Sequence, residues 1–209
     1  KAHPSEILVV CSEDSHYSMD KAANVMMLDL LRIPVEKFSR RLHPDSVMES
    51  LTKAKSEGKK HIIVICNMMT TMFGSVDDTH VYTEAFAHLD LDYKMHIDGA
   101  YGGFYYPFTA PENDLTFANP NISSFTLDAH KMAQAPYGTG IFVIRKGFMS
   151  YANTEEASYV EGQDFTLIGS LSGANAVAVW MILSKNGPYG WKEKTIILQE
   201  RTKWLCQQL

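Results

Sequence analysis

Short apolar runs alternate with helical patterns along this chain. Residues 6–11 and 61–66 are almost continuously apolar, which is typical of strands buried on both faces of a sheet. Residues 17–31 carry Met and Leu at helical spacing, and a helix here is expected to bury Met26 and Met27. The remaining predicted elements are strands at 33–38, 93–98, 123–127 and 140–145, the last two paired, and helices at 45–57, 79–89, 172–184 and 191–209.

This alternation predicts an α/β fold, a three-layer sandwich with a mostly parallel central sheet. In such sheets ligands bind beyond the carboxyl ends of the strands. Polar residues follow four of the predicted strands at that end: His16, Thr70 with Thr71, Asp98, and Lys131. We therefore expect these strand ends to converge on one cleft within a single domain.

Composition and charge argue against several classes of partner and site. The 209 residues carry a net charge of −5 and no basic block, which argues against a nucleic acid or an anionic membrane as the main partner. No apolar run reaches the ~18 residues of a membrane span. The three cysteines, Cys11, Cys66 and Cys206, lack metal-site or redox-motif spacing, so no metal site is predicted and a reducing, cytoplasmic setting is expected.

Two segments carry the most informative chemistry. Asp98 lies in the segment His-Ile-Asp-Gly-Ala-Tyr-Gly-Gly-Phe, and Lys131 ends the tetrapeptide Asp-Ala-His-Lys. A lysine amine and a carboxylate are the two charges that pyridoxal 5'-phosphate (PLP) chemistry requires, one for the cofactor aldehyde and one for its pyridine nitrogen. Taken singly, Asp98 also fits a cap on the turn that begins at Gly99, and Lys131 fits a surface lysine.

Five segments in this order resemble the group II PLP-dependent amino-acid decarboxylases, which include the glutamate, aromatic-amino-acid, tyrosine and histidine decarboxylases. The segments are Asp14–Ser18 with Lys21–Ala23, Met69–Asp77, His96–Phe104, Ser124–Lys131 and Gly169–Gly173. The resemblance implies the large domain of the aspartate aminotransferase-like fold (fold type I), PLP as cofactor, and a small-molecule amino-acid substrate. It also implies a homodimer with the site at or near the subunit boundary.

The resemblance assigns roles to particular residues. Lys131 is implied to form the Schiff base with PLP, and Asp98 to hold the pyridine nitrogen protonated. Ala100 is implied to lie against one face of the cofactor ring. His16 is implied to stack on the opposite face and to reach the substrate carboxylate, so that the catalytic set is Lys131, His16 and Asp98.

Further cofactor contacts are implied for His130 beside the lysine, for Ser124 on the strand leading to it, and for Ser170 in the segment before the last helices. Thr71 is favoured over Thr70 for the contact with the cofactor's phenolic oxygen. Ordinary alternatives remain for each: a loop histidine, a polar strand residue, a helix cap, and strand propensity for the threonines.

The chain departs from the family pattern in two places and in extent. Met69 replaces a glycine and Leu171 replaces an arginine. We expect residues 1–209 to be the central part of the PLP-binding large domain, without the N-terminal phosphate-loop segment and the C-terminal small domain, and therefore inactive alone. The expected function is decarboxylation of an L-amino acid; alternatives are a sphingosine-phosphate-lyase-like or cysteine-desulfurase-like enzyme, or a catalytically silent domain of the same fold.

Overall fold

A six-stranded sheet forms the centre of the part of the chain that the computed structural model describes, residues 2–152, 169 and 171–209. Its strands are β1 (Ile7–Ser12), β2 (Asp29–Ile33), β3 (His61–Asn67), β4 (Asp92–Asp98), β5 (Ile122–Asp128) and β6 (Gly140–Ile144). They lie in the order β2-β1-β3-β4-β5-β6. The first five are parallel, and β6 pairs antiparallel with β5. This confirms the predicted mostly parallel sheet and the pairing of the last two strands.

Helices connect and cover the strands. They are α1 (Ser18–Met26), α2 (Pro44–Ser56), α3 (Thr79–His88), the short α4 (Tyr106–Thr109) and α5 (Gly173–Gln208). α5 joins the two helices predicted at 172–184 and 191–209, and it is kinked where Gly187 leaves helical geometry and Pro188 follows. Among the described helices, none is long and apolar enough to cross a membrane.

The core lies on both faces of the sheet, as the continuous apolar strands require. One face of β1 and β3, including Val10 and Val64, packs in a cluster with Leu51 of α2 and Phe86 of α3. The opposite face packs in a cluster with Ala23 of α1. Since successive side chains of a strand point to opposite faces, a strand covered on both sides must be apolar at every position. The three-layer α/β architecture is confirmed.

The boundary between α1 and β2 differs from the prediction. The helix predicted at 17–31 is wrong in its second half, because Met27 adopts a left-handed conformation (φ 54°) that ends α1. The strand predicted at 33–38 is placed too late, because the chain enters β2 directly and Leu30 pairs beside Val9 of β1. Leu30 and Leu31 fit both the apolar stripe of a helix and a buried strand. Their pairing with β1 decides that they form a strand.

The expectation that Met26 and Met27 are core residues is also wrong. Their exposed fractions are 44% and 86%. Because α1 ends here, neither side chain reaches the sheet, and the inner surface of the helix is supplied by Ala23 with the partly buried Met19.

The strand order contains a reversal that positions the site. From β1 the chain moves to β2 on one side and then returns to β3 on the other side of β1. In open α/β sheets the crevice for ligands lies at the carboxyl ends of the strands, next to such a reversal. Here that place is the edge formed by Ser12 at the end of β1 and Asn67 at the end of β3.

Candidate active site

A cavity of about 350 Å³ opens at the carboxyl ends of β1, β3, β4 and β5. Its wall contains five of the residues selected from the sequence: His16, Thr71, Asp98, Ala100 and Lys131. Other lining residues, not assigned a role from the sequence, include Asn67, His96, Thr126 and Asp128. The structure thus brings an amine, two carboxylates and two imidazoles to one cavity, while the roles of the individual residues stay predictions.

Lys131 shares this cavity with a carboxylate that sequence reasoning missed. Its Nζ lies 3.0 Å from Oδ2 of Asp128, the last residue of β5. The backbone turns tightly here, since the Lys131 N–H donates to the Asp128 carbonyl at 3.0 Å. A carboxylate three residues before a lysine was a visible signal, because one turn places the two side chains next to each other. Asp128 holds the amine toward the cavity.

Asp98 caps the turn that follows β4 and also lines the cavity. At the end of β4 its Oδ1 accepts a hydrogen bond from the Ala100 N–H at 3.1 Å, which is the strand-end cap. Its side chain also lines the cavity. The turn that follows is closely packed: the Gly102 N–H donates to the Met68 carbonyl, and a Cβ at Gly102 would lie 2.2 Å from that oxygen. Only glycine therefore allows the turn to lie this close to the end of β3.

His96 is the second residue that the sequence analysis passed over. It precedes Asp98 by two positions on β4 and so lies on the same face of the strand. Its Nδ1 lies 2.8 Å from the Ser124 hydroxyl and its Nε2 lies 3.1 Å from the Thr126 hydroxyl. Burial lowers the pKa of His96, with Asp98 opposing that change. His96 is therefore held at both ring nitrogens by hydroxyl groups of β5.

A β-bulge between β4 and β5 determines which residue of β5 lies opposite His96. The register of β4 with β5 shifts between Met95 and His96, so that Met95 pairs with Ile122 while His96 pairs with Ser124. Without the extra residue in β5, Ser123 rather than Ser124 would lie opposite His96.

Two predicted cofactor contacts, Ser124 and His130, do not line the cavity. The Ser124 hydroxyl contacts His96 instead, so its direct contact stays a prediction. His130 Nε2 lies 3.8 Å from an Asp128 oxygen, and its buried Nδ1 has no hydrogen-bond partner among the described residues. Ser170 lies outside the described residues.

The two threonines after β3 have different surroundings, although both line the cavity. The buried Thr70 hydroxyl lies 2.7 Å from the Ser75 hydroxyl, whereas Thr71 is exposed. Met69 before them has φ 71°, the left-handed region that glycine adopts without strain. The departure from the family's glycine therefore keeps the turn but adds strain of about 1–2 kcal/mol.

The loop that carries His16 is fixed by two arginines. One Arg32 nitrogen donates to the carbonyls of Ser12, Glu13 and Ser15 at 3.1–3.4 Å. Arg40 forms a paired contact with the Asp14 carboxylate. The loop between β1 and α1 is thus clamped along its backbone and its side chains.

The His16 ring is oriented by the start of α1. Its Nδ1 accepts from the Ser18 N–H at 3.3 Å and lies 2.8 Å from the Ser18 hydroxyl. With Nδ1 as the acceptor, the proton of the neutral ring is on Nε2.

Below the cavity lies a buried carboxylate, Asp77. Its Oδ2 accepts hydrogen bonds from the Asn67 backbone N–H at 2.8 Å and from the Asn67 side-chain amide at 2.7 Å. The same amide nitrogen lies 2.7 Å from the Ser15 hydroxyl and 3.1 Å from the Ser12 hydroxyl. Burial raises the pKa of Asp77 to about 6. The hydrogen bonds from Asn67 lower this pKa, and the nearby charge of Asp14 raises it by a smaller amount.

This raised pKa predicts a pH-dependent stability. Between about pH 4 and pH 6 the folded protein retains a proton on Asp77 that the unfolded chain releases, so this group's contribution to the free energy of unfolding falls as pH rises through that window. Asp77→Asn removes the titration but keeps an acceptor for Asn67. We expect the variant's free energy of unfolding, relative to wild type, to increase by about 2–3 kcal/mol between pH 4 and pH 7.

Urea unfolding at these two pH values, at fixed protein concentration, measures the difference. Asp78→Asn is the matched control, because Asp78 is an exposed neighbour that caps α3 and asparagine caps equally well. A difference between Asp77→Asn and wild type that is equal at both pH values would contradict the prediction.

Comparison with known proteins extends the geometric result. The chain is 51% identical over 209 residues to a tryptophan decarboxylase of Clostridium sporogenes, an alignment that covers 100% of this chain and 50% of that protein. The chain thus spans about half the length of this curated relative.

Solved structures agree on the fold. A glutamate decarboxylase of Lactobacillus brevis superposes with a TM-score of 0.82 at 19% identity, covering 98% of this chain and 46% of that one. A sphingosine-1-phosphate lyase of Burkholderia pseudomallei superposes with a TM-score of 0.75 at 20% identity, covering 91% and 43%. At these identities the likeness concerns the fold alone.

A family model decides the assignment. The model described as the pyridoxal-dependent decarboxylase conserved domain matches residues 3–203, nearly the whole chain. Together with the resemblance of the five segments, this match shows that the chain belongs to the pyridoxal-dependent decarboxylase family.

Proposed function

We propose that the full-length protein containing this chain decarboxylates an L-amino acid with PLP as its cofactor, and that tryptophan is its first candidate substrate. The observation that carries the cofactor is the placement of Lys131 and Asp98 in the wall of one cavity, and the match to the decarboxylase family supports the reaction class. The choice of tryptophan is supported by the 51% identity to the Clostridium sporogenes enzyme.

The residues present fit PLP. A cavity of about 350 Å³ is in the range of small-molecule sites, which begins at about 300 Å³. An amine for covalent attachment and a carboxylate for the ring nitrogen line it together, and Ala100 leaves room for a flat ring. When bound, PLP supplies the electron sink that accepts the bonding electrons released when the Cα–carboxylate bond breaks.

This chain's own residues supply orientation and electrostatics. Asp98 would hold a proton at the pyridine nitrogen through a carboxylate whose other contact, the Ala100 N–H, fixes its direction. His16 would cover one ring face and direct its Nε2–H toward the substrate carboxylate. Lys131 would hold the cofactor covalently, and Asp128 would keep the free amine of Lys131 in the cavity.

We further propose a homodimer with the site near the subunit boundary, in a reducing, cytoplasmic compartment. Met72 and Phe73, which directly follow the cavity-lining threonines, are exposed large apolar residues, and such residues favour burial against a partner. All three cysteines are free thiols. Analytical ultracentrifugation of the full-length protein tests the dimer: a sedimentation mass of one chain would exclude it.

The test of the reaction is carbon dioxide release from a panel of L-amino acids by the full-length protein with PLP. We expect release from tryptophan, with tryptamine as the product. The alternatives have their own products: an aldehyde and an ethanolamine phosphate ester for a sphingosine-phosphate-lyase-like enzyme, and enzyme-bound sulfur from cysteine for a desulfurase-like enzyme. PLP binding without any turnover would indicate a catalytically silent domain.

A further inference from the structure

A chain of buried polar side chains leads from Asp77 to the loop that carries His16. Asp77, Asn67 and Ser15 are 4%, 3% and 7% exposed, and each contacts the next by hydrogen bonds of 2.7 Å. Asp77 does not line the cavity, so any effect it has on the site must pass through its neighbours.

The carboxylate determines how the Asn67 amide is oriented. An amide side chain is near-symmetric in shape, and only its hydrogen-bond partners decide which end carries the NH₂ group. Asp77 accepts from both the backbone N–H and the side-chain Nδ2 of Asn67, and the Asp77 N–H donates to the Asn67 carbonyl at 3.0 Å. With the amide fixed in this direction, its Nδ2 faces Ser15.

Ser15 is in turn held through its side chain and its backbone. Its hydroxyl lies 2.7 Å from Asn67 Nδ2 and 3.4 Å from the Ser12 hydroxyl. Its carbonyl accepts from Arg32 at 3.1 Å, and its N–H donates to the Ser12 carbonyl at 3.1 Å. The next residue in the chain is His16, so the position of Ser15 sets the direction from which the imidazole enters the cavity. Loss of the contact from Asn67 leaves the Ser15 backbone held by Arg32 and Ser12, but removes the hydrogen bond that joins the Ser15 side chain to the end of β3.

From these contacts we infer that Asp77 is a positioning residue of the active site, which fixes the His16 ring against the cofactor through Asn67 and Ser15. The inference rests on the proposed function, because it requires that His16 contact PLP. It goes beyond that function by adding three residues: Asp77 and Ser15, which do not line the cavity, and Asn67, which lines it and relays between them.

A merely structural role for Asp77 would weaken cofactor binding whether or not His16 is present. A positioning role acts only through His16. A double-mutant cycle therefore distinguishes the two, because coupled residues give non-additive effects and independent ones give additive effects. The measured quantity is the PLP dissociation constant of the full-length protein, obtained by titration of the visible absorbance of the bound cofactor.

We expect Asp77→Ala to weaken PLP binding about 10-fold when His16 is present and less than about 2-fold in the His16→Ala background, a coupling of about 1.0–1.4 kcal/mol. Asp77→Asn retains an acceptor and is expected to restore binding to within about 2-fold of wild type. Asp78→Ala is the matched control. It removes the exposed cap of α3 without touching Asn67, and is expected to leave the dissociation constant unchanged in both backgrounds.

Ser15→Ala provides an independent route if Asp77→Ala does not fold. It removes the last hydroxyl of the relay and leaves the Asp77–Asn67 pair intact, so it too should weaken PLP binding only when His16 is present. Equal weakening in both His16 backgrounds, or failure of Asp77→Asn to restore binding, would overturn the positioning role while leaving the proposed function in place. Failure of the unmodified protein to bind PLP would overturn both.

Discussion

Replacing Lys131 with alanine is expected to abolish the visible absorbance of the covalently held cofactor and to lower kcat/KM at least about 10³-fold. The lysine is proposed to hold PLP and to recapture it after each turnover, and the cavity wall contains no other lysine among the described residues. Absorbance spectra of the full-length protein with added PLP measure the first effect. Borohydride reduction followed by peptide mass spectrometry locates the attachment, which we expect on Lys131.

Lys146→Ala is the control for this experiment. Lys146 is an exposed lysine beyond β6 and does not line the cavity, so its replacement should leave both the spectrum and the rate unchanged. Persistence of the visible band in Lys131→Ala, with the reduced adduct on another lysine, would show that the attachment site has been misassigned.

Replacing Asp98 with asparagine is expected to lower kcat about 10²- to 10³-fold while the cofactor still attaches to Lys131. An amide has no charge with which to hold a proton at the pyridine nitrogen, so the bound cofactor loses most of its capacity to accept electrons. The amide oxygen can still accept from the Ala100 N–H, and the turn after β4 is therefore preserved. Steady-state kinetics and the visible spectrum together separate loss of chemistry from loss of binding.

The matched control lies on the same strand. Asp92 begins β4 at the opposite edge of the sheet, its side chain is exposed, and Asp92→Asn should have no effect on kcat. A kcat for Asp98→Asn within a few fold of wild type would exclude the proposed contact between this carboxylate and the ring nitrogen.

The sheet could be predicted from the sequence because its physical signature is local. β3 is apolar at almost every position since both of its faces are covered, and no helix pattern of that length competes with this assignment. The boundary between α1 and β2 could not be predicted in the same way. Leu30 and Leu31 fit either element, and the deciding facts are the left-handed Met27 and the pairing with β1, which depends on contacts distant in sequence.

The residues of the candidate site also differ in whether they could be predicted from the sequence. Lys131 and Asp98 were visible because a charged residue after a buried strand is unusual, and the α/β architecture implies where such strand ends meet. The contact between Asn67 and Asp77 could not be predicted. Each resembles an ordinary polar residue in a turn, and their hydrogen bonds appear only once the chain folds back on itself after β3. His96 was likewise hidden, because the bulge that sets Ser124 opposite it depends on the register of two strands.

The reversal of strand order has a consequence for how the protein matures. His16 follows β1 and Lys131 follows β5, and β3 and β4 lie between these two strands in the sheet, so the two residues line one cavity only after the four central strands have paired. Capture of the vitamin B6 cofactor thus reports that these four strands are in place, and the captured molecule shifts the folding equilibrium toward the folded chain by mass action. Newly made chains that stall before this point present unpaired strand edges, and a cell short of the vitamin would therefore be expected to accumulate molecules prone to aggregation and to degradation.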